Sequence, residues 1–166
     1  MVERGVRLAV DVGSVRVGVA ASDPDGLLAT PVETVPRGDT VEGGVSRLVE
    51  IVQERDAVVV YVGLPRHLSG REGSASEAAR TYGVLLARAL APVPVRLIDE
   101  RMSTVSAHRA MHASGRPGRR QRAVVDQAAA VVILQSALDF ERSTGRRAGE
   151  PCESDGGGVE QREVSW

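Results

Sequence analysis

Three acidic residues invite a chemical reading. Asp11 ends an apolar run, Leu8 to Val10, and is followed at once by Val-Gly-Ser. A carboxylate closing a core strand is costly unless a cation meets it. Asp99 and Glu100 close a second apolar run, and Asp126 stands among the Val and Ala residues of a third. Three carboxylates brought together repel and raise one another's pKa unless a cation fills the gap. Mg2+ or Mn2+ does so with oxygen ligands, keeping several waters. Two such ions roughly 3.5–4 Å apart clamp the attacking and leaving oxygens of a phosphodiester. Each acid also has an ordinary reading. Asp11 can cap a turn, Asp126 can favour a helix N-terminus through its dipole, and Glu100 can pair with Arg101 or be solvated. Spacing alone leaves both readings open.

Small and basic residues stand beside these acids. Gly13 lets backbone approach a phosphate closely, and Ser14 supplies a hydroxyl. Ala129 and Ala130 let a helix lie tight on a sheet, although helix propensity explains them equally well. Arg101, Arg109, Arg116, Arg119, Arg120 and Arg122 follow Glu100 with no acidic residue between them. Such a basic rim beside an acidic metal centre suits a phosphodiesterase, the arginines holding the backbone of a nucleic acid. The alternative is a solvated face in an arginine-rich chain. Arg16 and Arg66 lie in loops able to reach the same edge. His108 and His112 have the i, i+4 spacing of zinc sites, but no glutamate follows His108 and no metal role is expected.

The elements that must position these groups are legible. Arg7–Asp11 and Val17–Ser22 read as strands joined by a turn over Gly13–Arg16. Leu28–Val35 reads as a third, with Pro31 pointing to an edge. Val41–Arg55 has helical spacing. Ala57–Val62 reads as a strand buried on both faces. A helix capped by Ser74 or Ser76 runs to about Ala91, and Val95–Asp99 is a short strand. Helices are expected over Ser103–Ala113 and Arg122–Phe140. The order implies an α/β fold with a mixed sheet and helices on both faces. With the first strand central, Asp11, Glu100 and Asp126 converge beyond the carboxyl ends of strands, where open α/β sheets bind ligands.

The chain has 166 residues, 21 basic and 22 acidic side chains and no lysine. That length suits one ordinary domain over residues 1–140, with a Gly-, Ser- and Glu-rich disordered tail over 141–166. Aromatic residues make up 2% of the chain, so base-stacking platforms of the kind single-strand binders use are not expected. The lone cysteine, Cys152, rules out an internal disulfide or a multi-thiol zinc site and reads as a bystander thiol. No signal peptide or membrane-length apolar segment is visible, so a cytoplasmic location is expected.

Five ordered blocks carry a specific resemblance: DVGSVRVGVAASD at 11–23, ATPVETV at 29–35, VGLPRHLSGREG at 62–73, DERMSTVSA at 99–107 and VDQAAAVVILQSAL at 125–138. Over about residues 6–140 the chain resembles the YqgF/RuvX family of Holliday junction resolvase-like proteins. The resemblance implies an RNase H-like fold with a five-stranded sheet of order 3-2-1-4-5. It implies that Asp11, Glu100 and Asp126 are catalytic metal ligands for Mg2+ or Mn2+. It implies a nuclease of the kind that matures the 5′ end of 16S ribosomal RNA, with RNA precursor or branched DNA as partner; separately, a monomer or weak homodimer is expected. The related junction resolvases use four carboxylates, two of them on the last helix, where this chain offers Asp126 and then Gln127. Two other classes share features of this chain. The opening DVGSVRVGVA resembles the phosphate-binding start of actin-like ATPases, which need two such domains. A non-catalytic RNase H-like nucleic-acid module is the other alternative.

Overall fold

The computed structural model describes residues 2–67, 69–102 and 119–152. Three consecutive strands form a meander: β1 (Val6–Val12), β2 (Arg16–Ser22) and β3 (Ala29–Pro36). Helix α1 (Val45–Arg55), β4 (Ala57–Leu64), α2 (Ser74–Leu90) and β5 (Val95–Asp99) follow in alternation. A single 3-10 turn, Glu100–Met102, leaves β5. The long helix α3 (Arg119–Thr144) and a two-residue strand β6 (Glu150–Pro151) complete the described chain. The helix expected over Ser103–Ala113 lies outside the described residues, as do Arg109, Arg116, His108 and His112.

The sheet has six strands in the order β3-β2-β1-β4-β5-β6, one more than expected. β1 is antiparallel to β2 and parallel to β4, and β5 continues the parallel half. Strand side chains alternate between faces, and the sheet uses this to build two cores. Leu8, Val10, Val17, Val19, Val60 and Val62 point to the face covered by α1 and α2. Ala9, Ala20, Val59 and Tyr61 point to the face covered by α3, against Ala129, Ala130, Ile133, Leu134 and Ala137. Small residues dominate this second face because the helix lies close to the strands.

Among the boundaries that differ from expectation, including α1 starting at Val45 rather than Val41 and Arg16 falling in β2 rather than in the turn, two bear on the site and on the tail. α3 begins at Arg119 rather than Arg122, which places Asp126 two turns inside the helix instead of in its first turn. The helix dipole therefore does not account for Asp126, since that effect fades beyond the first turn. The second difference concerns the tail. α3 runs on to Thr144, and residues 145–152 pack onto the body. Glu141, buried in α3, accepts hydrogen bonds from Arg7 Nε (3.2 Å), Arg147 Nη1 (2.7 Å) and the Tyr61 hydroxyl (3.3 Å). The Ala148 N–H donates to the Tyr61 hydroxyl oxygen at 3.2 Å. β6 then pairs with β5 through Leu97 and Glu150. Cys152 is part of this segment: its N–H donates to the Val95 carbonyl, and its side chain packs beside Gly83. Buried charge, rather than apolar periodicity, fastens these residues, so the polar composition after residue 141 concealed them. Residues 153–166 lie outside the described residues.

Candidate active site

The site grows from the carboxyl end of the central strand. Asp11 sits near the end of β1, buried at 5% exposure, and faces Gly18 across the antiparallel pair. α3 crosses the sheet at that point. A Cβ at Gly18 would stand 2.1 Å from the Asp126 carbonyl oxygen, so only glycine admits the helix there. This crossing seats Asp126 over the strand neighbour of Asp11.

Glu100 arrives from the other side. Val10 pairs with Val62 of β4, and the next β4 residue is Gly63. A Cβ at Gly63 would lie 2.9 Å from Glu100 Oε1. The absent side chain leaves the space that the buried Glu100 carboxylate fills. Adjacent residues at the end of β5 thus diverge. Glu100 turns to the α3 face, while Asp99 turns to the α2 face and pairs with Arg101 and Arg66.

Asp11, Glu100 and Asp126 line one open cleft of about 490 Å³, together with Val12, Gly13 and Ser14. The start of α2 also lines it, through Ser74, Ala75 and Ala78. Gly73 precedes this helix, and no side chain caps it. Neither Ser74 nor Ser76 is the cap: Ser76 gives its hydroxyl to the Pro65 carbonyl. An uncapped helix start favours negative charge.

The turn after β1 is held rigidly. The Gly13 N–H donates to the Arg16 carbonyl at 2.9 Å, and a Cβ at Gly13 would lie 2.7 Å from that oxygen. Arg37, which also lines the cleft, gives Nη1 to the Gly13 carbonyl (2.7 Å) and Nη2 to the Val41 carbonyl (2.8 Å). Its guanidinium lies 4.9 Å from the centre of the Tyr82 ring, a cation–π distance. The Tyr82 hydroxyl in turn donates to the Gly43 carbonyl at 2.9 Å.

The sequence-predicted arginines divide. Arg16 Nε donates to Asp126 Oδ2 at 2.5 Å, both side chains about a quarter exposed. Arg66 stands away from the cleft, in ion-pair range of Glu72 (3.4 Å) and Asp99 (3.6 Å). Arg101 grips Asp99 through Nε (3.0 Å) and Nη2 (2.6 Å). That contact holds the Asp99 carboxyl below its usual range. The backbone of Arg119 and Arg120 lies in the first turn of α3.

Three contributors escaped the sequence reading. Gly18 and Gly63 interrupt apolar strands, which is a legible signal for close backbone approach. Arg37 lies in a polar loop and carries no comparable signal.

The donor set suits a hard cation. All three groups are carboxylates, matching the oxygen preference of Mg2+ and Mn2+, and Gly63 cradles one of them. Among the described residues the acids do not close into a compact three-ligand group. The pairing of Asp126 with Arg16 accompanies that open arrangement.

A sheet of this order with α3 across its β1 face, and an acidic cleft at its carboxyl edge, defines an RNase H-like protein. Comparison with known proteins narrows this further. The family model RuvX, described as Holliday junction resolvase, matches residues 5–140, and the chain belongs to that family. A protein of Streptomyces avermitilis is 55% identical over 150 residues, covering 90% of this chain and 96% of its own. One from Mycobacterium leprae is 57% identical over 150 residues, covering 90% and 81%. Both carry the name "Putative pre-16S rRNA nuclease". Among solved structures, Thermus thermophilus RuvC in complex with a Holliday junction substrate aligns with a TM-score of 0.57 at 16% identity. The alignment covers 89% of this chain and 99% of RuvC. At that identity the likeness shows the fold.

Proposed function

We propose that this chain is a divalent-metal-dependent nuclease that hydrolyses a phosphodiester in the 5′ leader of precursor 16S ribosomal RNA, in the cytoplasm. The observation that carries the reading is the convergence of Asp11, Glu100 and Asp126, from three separate elements, on one cleft. The names of relatives at 55–57% identity support the substrate. Mg2+ or Mn2+ held by these carboxylates supplies Lewis-acid stabilisation of the attacking and leaving oxygens.

The chain's own residues set the rest. Asp11 is buried on the rigid central strand and fixes the position of the ligand set. Gly18 and Gly63 bring Asp126 and Glu100 to it. Ser14 and the uncapped start of α2 line the same cleft, in which a phosphate would rest. Arg37 opposes the acids with a fixed positive charge and locks the Gly13 turn. Arg16, Arg101, Arg119 and Arg120 are assigned to the nucleic-acid backbone, and Arg66 to a supporting ion pair.

Cleavage of branched DNA is the second reading, favoured by the family description. Gln127, next to Asp126, gives its amide to Thr34 Oγ1 at 3.0 Å, so it adds no acid to the site. The test is a cleavage assay with Mg2+ and with Mn2+ on two substrates, a 5′-extended 16S RNA fragment and a four-way DNA junction. Metal-dependent trimming of the RNA with the junction left intact is expected. Cleavage of the junction alone would replace the RNA assignment.

A further inference from the structure

We infer that Arg16 serves the cleft twice: as the counter-cation of Asp126 when no divalent ion is bound, and as a phosphate ligand once an ion displaces it. The inference rests on the metal reading above. Its starting point is the Arg16–Asp126 contact, 2.5 Å between partners 110 residues apart in the chain.

Both backbones are fixed. Arg16 opens β2, pairs with Pro36 and holds the Gly13 N–H through its carbonyl. Asp126 is pinned by the Gly18 crossing. Only the side chains can therefore exchange. Both are about a quarter exposed, so the exchange needs no unfolding.

The charges favour that exchange. A guanidinium offers a single positive charge to one of three acids. A divalent ion offers two, and attraction scales with that product. While Arg16 holds Asp126, the described acids do not form a compact three-ligand group. An ion that recruits Asp126 must first overcome the arginine. Its apparent affinity is lowered by the fraction of chains in which the pair is closed. The freed guanidinium remains beside the cleft, with a planar fork that matches a phosphate. Metal and nucleic acid would then bind with positive, reciprocal coupling.

Binding of Mn2+ to the full chain, read from the loss of free-ion paramagnetic resonance signal, tests this. Arg16→Gln is expected to bind Mn2+ at least about threefold more tightly than the unaltered chain, by removal of the competing closed pair. The same variant should show a raised KM for RNA, because the phosphate ligand is gone. Effects of opposite sign separate this role from a merely structural one, which would weaken both. Should Arg16→Gln fail to fold, Arg16→Lys, which keeps the charge but loses the planar fork that grips Asp126, is expected to bind Mn2+ more tightly than the unaltered chain, by about twofold. Mn2+ binding in the variants that equals or falls below that of the unaltered chain overturns the inference and leaves Arg16 orienting Asp126. Asp126→Asn serves as the control. Its Mn2+ binding should weaken, and unchanged binding would instead remove Asp126 from the ligand set. Absence of Mn2+ binding in every chain would overturn the metal reading and this inference with it.

Discussion

Gly18 of β2 and Asp126 of α3 are in backbone contact: a Cβ at Gly18 would fall 2.1 Å from the Asp126 carbonyl oxygen and 2.4 Å from its carbonyl carbon. Because Gly18 is also the register partner of Asp11, one glycine sets the approach of two of the three acids. Gly18→Ala should force the helix off the sheet. Overpacking of a rigid contact costs about 1–3 kcal/mol, and this backbone-to-backbone clash should sit at the upper end. Urea unfolding would measure the loss, and RNA cleavage should fall with it. An alanine variant of unaltered stability and activity would contradict the proposed crossing.

Gly63 acts more locally. Its missing Cβ leaves room for Glu100 Oε1 and for the end of Ile133, both tips of flexible side chains that can yield. Gly63→Ala is therefore expected to cost about 1 kcal/mol in stability, the lower end of overpacking, yet weaken Mn2+ binding severalfold. A larger effect on unfolding than on metal affinity would argue against this role.

The buried Arg7–Glu141–Arg147 cluster predicts a different outcome. Arg7 and Glu141 are each about 4% exposed, and removing one charge of such a pair leaves the other uncompensated. Glu141→Gln should destabilise the chain by about 3–5 kcal/mol, measured by denaturant titration. The variant lies at the far end of α3 from Asp126. Cleavage by its remaining folded fraction should be unchanged per folded molecule.

Alkaline pH offers an independent check. The chain has two tyrosines. Burial pushes Tyr61 up to about 12, helped by the neighbouring Glu141 charge, and burial likewise pushes Tyr82 up to about 12. In the unfolded chain both ionise near 10. The folded state thus favours the protonated phenols, and their contribution to stability is whole below pH 10 and lost as pH rises through about 12. Ultraviolet absorbance should show no tyrosinate at pH 10.5 in the folded protein and substantial ionisation in urea. Ionisation near 10 in the folded chain would contradict the buried environments.

Much of this was legible in the sequence, for physical reasons that can be named. Alternation and apolar runs reveal the meander, the central β1 and the parallel strands, because sheet burial imposes those patterns. Pro31 marks β3 as an edge, and it is one. Asp11 and Glu100 are legible because charge at the end of an apolar strand is expensive, and Asp126 because it stands among the Val and Ala residues of a helix. What escaped were interactions that leave no periodic trace. Arg37 acts through hydrogen bonds to carbonyls of distant loops. Arg16 meets Asp126 only after folding. Residues 145–152 are held by buried ion pairs and a two-residue strand, neither of which differs in composition from a solvated tail. The boundary of α3 moved for a related reason: its first turn carries arginine and glutamine, with no capping signal to announce it.

Cleavage by Asp11→Asn bears most directly on the account. The substitution keeps shape and removes one charge from the centre of the acid set. The account predicts loss of Mg2+-dependent and Mn2+-dependent RNA cleavage, with circular dichroism and RNA binding preserved. Cleavage by folded Asp11→Asn at the rate of the unaltered chain would contradict it.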